Sequence, residues 1–263
     1  MSSPRLALVL AIAAAGCGQT YTRTYPEPTP DQVVAKLAEA RGRATSFRAE
    51  TLMDSWLGDQ RVKTTVKMMG ETGAKVRVNF LSPAGGNVLA DLACDGTSFV
   101  LVDFQKNCAL TGPCNADSIA QYLRVPLDPD DFLYMATGTT PVLEGATGKV
   151  TWDAKNGHEI VELTGPSGSQ RIVLDGRGGT WDVLESRVRN TAGAEVWKLE
   201  NKGFEAVEDE AGVAYRVPTK SHFVSGSNSK ADLIIEWQDR TLNPQLNAQK
   251  FTLTPPAGLP RCR

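Results

Sequence analysis

The chain has no marked excess of either charge. Its 28 Lys and Arg residues stand against 30 Asp and Glu, a net charge of −2, so no basic field draws nucleic acid and none is expected as a partner. It has only two histidines, His158 and His222. Both fall in strand-like segments without Cys, Asp or Glu at ligand spacing, except Glu159 on the opposite face from His158, so they read as satisfied strand residues and no metal is expected. It also lacks a G-x-S-x-G elbow, a phosphate-binding loop, an H-E-x-x-H pair and a dinucleotide fingerprint. Asp128, Asp130 and Asp131 are interrupted by Pro129 and lack the calcium loop's glycine and final glutamate, so they read as a charged helix start. The expectation is a chain that is not an enzyme and carries no cofactor. No repeat of fixed period occurs. The apolar run from Leu6 to Ala15 is too short to span a bilayer, which takes roughly 20 residues.

That short run has a different reading. It follows Arg5 and runs into small residues in MSSPRLALVLAIAAAGCGQ, the pattern of a secretory signal. Its end, Ala14-Ala15-Gly16-Cys17, resembles a bacterial lipobox, in which the cysteine thiol receives diacylglycerol and the peptide bond before it is cut. The chemistry requires a cysteine because the thiolate is the nucleophile. Residues 1–16 are therefore expected to be a lipoprotein signal peptide and Cys17 the site of lipid attachment. Two or three acyl chains, at about 0.8 kcal/mol per buried methylene, anchor a protein permanently. Gly18 stands where the best-known inner-membrane retention signal has Asp, so the expected location is the outer membrane, lipid-anchored at its periplasmic face. Residues 17–30, with three prolines and no large aliphatic side chain, read as a flexible, extended tether.

The rest, residues 31–263, reads as one domain. Asp31 is a candidate N-cap for a helix over 31–44, with Val33, Val34, Leu37 and Ala38 at helical spacing. The period then changes to two. Six strand-like segments follow, at 47–56, 61–70, 74–81, 87–94, 97–104 and 107–111, separated by Gly, Asp and Pro turns. Residues 115–141 hold two short helices, the second with Phe132, Leu133 and Met135 on one face and a stop at Gly138. Eight more segments, at 149–153, 158–164, 169–175, 180–189, 195–205, 214–222, 232–242 and 249–253, exceed what one flat open sheet holds. The fold class is mainly β within α+β, a strongly curved antiparallel sheet or partial barrel with helices on its open side.

Four cysteines remain after Cys17, an even number that suggests two disulfides in an exported chain. Intervals of 13, 5 and 147 intervening residues match no common zinc pattern. Cys94 and Cys108 fall at opposite ends of one strand, about 25 Å apart, too far for a bridge. Cys94 with Cys114 and Cys108 with Cys114 both remain open, with Cys262 for whichever partner is left.

Four patches resemble the LolA/LolB family of periplasmic lipoprotein carriers and receptors. They are Phe80-Leu81-Ser82-Pro83-Ala84-Gly85, the Asp95-Gly96 turn before an apolar strand, Val125-Pro126-Leu127 leading to Phe132-Leu133 and Gly138, and Phe251-Thr252-Leu253-Thr254-Pro255-Pro256-Ala257-Gly258. The resemblance covers most of residues 31–260 and implies an unclosed half-barrel of about 11 strands with an N-terminal helix and a helical lid. It further implies an apolar concavity for the acyl chains of lipids or lipoproteins and a periplasmic carrier or envelope protein as partner.

An acyl chain in water needs a large apolar cavity and little directional chemistry. The candidates to line it are Val78, Phe80, Val88, Leu92, Phe99, Leu101, Phe132, Leu133 and Met135. The loop Pro83-Ala84-Gly85 is the candidate membrane or partner loop, but Ala84 stands where the family's receptors expose a leucine, which weakens insertion by roughly 1 to 2 kcal/mol. The four extra cysteines are a second departure. The alternative to lipid binding or lipoprotein sorting is an accessory lipoprotein of an envelope complex, with the same sheet packed on a protein partner.

Overall fold

The structure is a computed structural model that describes residues 20–57, 60–83, 86–123, 127–226 and 231–262. The signal segment with Cys17, the Gly58-Asp59 turn, Ala84, Gly85, Val125 and Pro126 lie outside the described residues.

The first element, α1 (Pro30–Arg43), begins one residue earlier than its apolar spacing suggests. Its N-cap is Thr29 rather than Asp31. Gln32 N donates to Thr29 Oγ1 at 3.2 Å and Thr29 N donates to Gln32 Oε1 at 2.9 Å, a reciprocal capping box. Pro30 fits the first helical position because its missing N–H has no partner there in any case.

Alternating segments then form β1 (Ser46–Leu57), β2 (Gln60–Glu71), β3 (Lys75–Leu81), β4 (Val88–Asp95), β5 (Ser98–Asp103) and β6 (Cys108–Pro113). Two short helices follow, α2 (Ala116–Leu123) and α3 (Pro129–Ala136). The chain returns to strand in β7 (Thr147–Asp153), β8 (His158–Gly165), β9 (Gly168–Asp175), β10 (Asp182–Asn190), β11 (Glu195–Glu208), β12 (Ala214–Ser225) and β13 (Ala231–Leu242).

Among the described residues, 13 strands form one antiparallel sheet in the order β6-β5-β4-β3-β2-β1-β13-β12-β11-β10-β9-β8-β7. Each strand pairs with its neighbour in sequence except where β1 meets β13, at Phe47↔Leu242 through Leu57↔Ala231. β6 and β7 stay apart as the two edges. The result is an unclosed half-barrel, and the connection from one edge to the other carries α2 and α3.

The last predicted strand, 249–253, is absent. Residues Ala248–Phe251 form a 3-10 turn, in which Asn247 Oδ1 accepts Gln249 N at 2.9 Å and Thr252 Oγ1 donates to Gln249 O at 3.0 Å. Such local bonds replace a ladder, and β13 already has β1 and β12 on its two sides. The turn instead buries Phe251 near β3 and β4, where Arg77 Nη1 donates to Lys250 O and Thr252 O.

The disulfides are Cys94–Cys114 and Cys108–Cys262, with Cα atoms 5.5 and 5.0 Å apart. The first ties the end of β4 to the residues entering α2. The second brings the C-terminal tail to edge strand β6, where Ala109 N donates to Pro260 O and Cys262 N to Ala109 O. The tail thereby satisfies part of an edge that would otherwise offer unpaired backbone groups.

Residues 20–29, the described part of the expected tether, are extended but not free. Arg23 reaches the carboxylate of Glu159 and Tyr25 lies against Trp152 and Trp181. Among the described residues no helix is long and apolar enough to cross a membrane.

Candidate functional site: the concave face and its lid

The strand period of two sends alternate side chains to the concave face, and register lines them up across strands. Met68, Val78, Leu92 and Leu101 form one row through β2, β3, β4 and β5, and Val76, Cys94 and Phe99 form the next. On α3 the helical period places Phe132, Leu133, Met135 and Ala136 against these rows. Seven of the nine predicted lining residues (Val78, Leu92, Phe99, Leu101, Phe132, Leu133 and Met135) are therefore buried in one cluster, with half-buried Phe80 packed on its margin. Val88 is not among them. It is 39% exposed at the start of β4, beside the β3–β4 loop. Of that loop's candidate residues, Pro83 is exposed, and Ala84 and Gly85 lie outside the described residues.

The same face continues through the C-terminal half with Leu233, Ile235 and Trp237 on β13, Phe223 on β12, and Trp197 and Leu199 on β11. None of these is among the lining residues expected from the sequence. Their alternation was legible, but their membership of this face depends on the β1–β13 pairing, which joins residues nearly two hundred positions apart and leaves no local signal. At the far edge α1 lays Val33 and Leu37 over Val161, Leu163, Ile172, Leu174 and Val183 as a second cluster.

Three polar side chains on this face are hydrogen-bonded in series. Trp237 Nε1 donates to Ser221 Oγ at 3.0 Å, Ser221 Oγ to Asn201 Oδ1 at 2.8 Å, and Asn201 Nδ2 to Val183 O at 3.0 Å. This chain crosses four strands without leaving a buried donor idle, as burial requires.

A second set fastens the lid, α2 and α3 with the residues after them. Gln170 Nε2 donates to Pro141 O at 2.7 Å while its Oε1 accepts Leu143 N at 3.0 Å. Arg41 donates to Thr140 O at 3.0 Å. Arg240, whose side chain is 3% exposed, donates to Ala136 O at 2.8 Å and to Pro218 O at 2.7 Å. Burial lowers the Arg240 pKa to about 10, with Glu205 opposing the shift, so the group is charged at neutral pH. Where the chain leaves α3, Gly138 has φ +74°, and a Cβ there would lie 2.5 Å from Pro218 Cδ, so only glycine fits.

The three carboxylates at the start of α3 also serve the lid. Asp130 Oδ1 accepts Ala74 N in the β2–β3 turn, Asp128 Oδ1 accepts Ala116 N, and Asp131 Oδ2 accepts Asp128 N. Burial raises the Asp131 pKa to about 7, against the lowering effect of that last bond, with the neighbouring Asp128 and Asp130 charges adding to the rise.

The concavity is thus filled by the chain's own side chains. Depressions of about 760 and 420 Å³ lie elsewhere among polar residues, the larger between Lys149, Glu162, Arg171, Arg187 and Arg189. His222 sits between Glu200 (3.4 Å) and Asp232 (2.7 Å), neighbours that its local sequence does not reveal. No group of three or more His, Cys, Asp or Glu is placed to hold a metal among the described residues.

No protein-family profile and no curated protein matches the chain in sequence. Solved structures do match in shape. A LolA superfamily protein from Nitrosomonas europaea superposes with TM-score 0.58 at 12% identity, over 86% of this chain and 99% of that one. The chain has a LolA/LolB-like fold. A DUF1329 family protein from Desulfovibrio piger gives TM-score 0.57 at 13% identity, over 85% and 95% of the two chains. A structure described as an outer membrane lipoprotein-sorting protein domain, from Vibrio parahaemolyticus, gives 0.55 at 10% identity, over 84% and 97%. At these identities the LolA/LolB-like likeness is one of fold.

Proposed function

We propose that this protein is an exported lipoprotein, lipidated at Cys17 and held at the periplasmic face of the outer membrane, that takes up acyl chains of lipids or acylated proteins between its sheet and its lid. The observation that carries this reading is the composition of the sheet–lid interface. The side chains that α3 lays on the sheet, Phe132, Leu133, Met135 and Ala136, are apolar and meet an apolar cluster, while Gln170, Arg41 and Arg240 fasten the lid through polar contacts.

The energies are of matching size. Lifting the lid exposes about six buried side chains at about 1.5–3 kcal/mol each, or roughly 9–18 kcal/mol. An acyl chain of roughly 16 carbons, at about 0.8 kcal/mol per methylene, returns about 13 kcal/mol on entering the same space. A ligand of this class can replace the lid's own contacts. The fold likeness to a LolA superfamily protein supports the same class of ligand.

The test is native mass spectrometry of the domain purified from an oxidising compartment, followed by titration with a fluorescent acyl probe. Binding that is lost when α3 is cross-linked to the sheet supports uptake beneath the lid. A wild-type domain that carries no lipid and ignores the probe sinks the reading. The filled concavity then favours the second one, an accessory lipoprotein that binds a protein partner in an envelope complex.

A further inference from the structure

The segment before α1 is built into the domain as a strap. Arg23 Nε and Nη2 donate to the two carboxylate oxygens of Glu159 at 2.7 and 3.0 Å, and Glu159 is 0% exposed. A carboxylate removed from water is tolerated only when paired, and the strap supplies its partner. Tyr21 N donates to Ala154 O at 2.7 Å, and Trp152 Nε1 donates to Tyr21 O at 3.1 Å. Tyr25 packs between Trp152 and Trp181, and Arg177 lies over the Tyr21 ring. Gly176 and Gly157 make room for the two tyrosines, since a Cβ at either would approach them within 3 Å.

All of these contacts lie at one end of the sheet, the end with the β7–β8 and β9–β10 turns. In a meander successive turns alternate between ends. The β2–β3 and β4–β5 turns share the strap's end, while the β3–β4 loop and the β8–β9 turn lie at the other.

We propose that the strap sets the orientation of the lipidated protein, with its β7–β8 end against the bilayer that holds the anchor and its β3–β4 loop directed away from that bilayer. This rests on lipidation of Cys17. From Cys17 to Tyr21 there are four residue steps, a reach of at most about 14 Å. Strand β8, eight residues long, spans about 26 Å. A docked strap therefore keeps the far end beyond the lipid surface, whereas an undocked one of twelve steps reaches about 40 Å and lets the domain turn over. The loop of Pro83 and Gly86 then faces a partner in the periplasm rather than its own membrane.

The experiment uses full-length lipidated protein in phosphatidylethanolamine–phosphatidylglycerol vesicles. A fluorescent amino acid is placed singly at Lys155 in the β7–β8 turn or at Ser167 in the β8–β9 turn, both exposed, and energy transfer to an acceptor lipid is read. Transfer several-fold stronger from position 155 than from 167 is expected. The ratio should fall to near one in a variant carrying Arg23→Ala and Glu159→Gln that still floats with the vesicles. Equal transfer from the two positions in floating wild-type protein overturns the orientation, and a full ratio in the variant overturns the strap as what sets it. Wild-type protein that fails to float overturns the lipid anchor itself, an outcome recognised before any transfer is read.

Discussion

Arg240 of β13 donates from Nη1 to the carbonyl oxygen of Ala136, 2.8 Å away, so a cation from the sheet closes the last turn of α3. Its other terminal nitrogen holds Pro218 O on β12. Arg240→Leu keeps the bulk but leaves two buried carbonyls without a donor. At about 1–3 kcal/mol for each unsatisfied group, the expected loss is roughly 2–6 kcal/mol in denaturant unfolding. Amide exchange in 129–137 should accelerate more than in β3 or β4. Uniform exchange across the domain would show that Arg240 supports the whole core and not the lid.

Gly138→Ala addresses the same corner without touching a charge. The φ of +74° and the contact with Pro218 both oppose a Cβ, and a cost of about 1–3 kcal/mol is expected. Thermal unfolding of this variant beside Gly212→Ala, where φ is +77° but no atom lies within 4 Å, separates the two effects. The Gly138 variant should be the less stable by the contact alone.

Protonation of Asp131 should stabilise the lid. Its folded pKa of about 7 lies above the unfolded value of about 3.9. The stabilising contribution is therefore fully present below about pH 4 and is lost as pH rises through 7. Discounted for partial solvent access, it is on the order of 1 kcal/mol, or about 2–4 °C in Tm. Between pH 7.5 and 5 the wild type should gain this much and Asp131→Asn should not. Asp95, Asp175 and Glu200 have lowered pKa values, so below about pH 4 they act in the opposite direction. An Asp131→Asn variant that keeps the gain would place its source elsewhere.

Replacing Cys108 and Cys262 by serine should cost about 2–5 kcal/mol and free the tail from β6. The released edge offers a template for pairing between molecules, so light scattering on mild heating should rise sooner than in the Cys94→Ser, Cys114→Ser variant. If the two variants aggregate alike, the tail is not what shields the edge.

The parts of the fold that were legible in the sequence are those decided locally. Val76, Val78, Leu92 and Leu101 alternate cleanly, Pro129 and Gly138 bracket a helix and its exit, and turns rich in Gly and Asp separate the strands. What escaped sequence reasoning depends on distant partners. Arg23 in a proline-rich stretch reads as solvated, and only the fold shows Glu159 buried beside it, 136 positions away. Phe251 and its neighbours look like a strand because nothing nearby reveals that both sides of β13 are taken. Apolar character and alternation mark the candidate lining residues; they distinguish the inner face from the outer one but do not distinguish an empty cavity from a filled one.

The tail disulfide also has a consequence in time. Cys108 and Cys262 are 154 positions apart, and the β6 edge that the tail covers is made long before the tail is. In a chain delivered from its N-terminus, that edge is present and uncovered while the whole second half of the sheet is still arriving. The bond can close only once residue 262 is in place beside Cys108. Until then the half-barrel is a growing surface whose β6 side is open, and Pro260 and Cys262 are what close over that side.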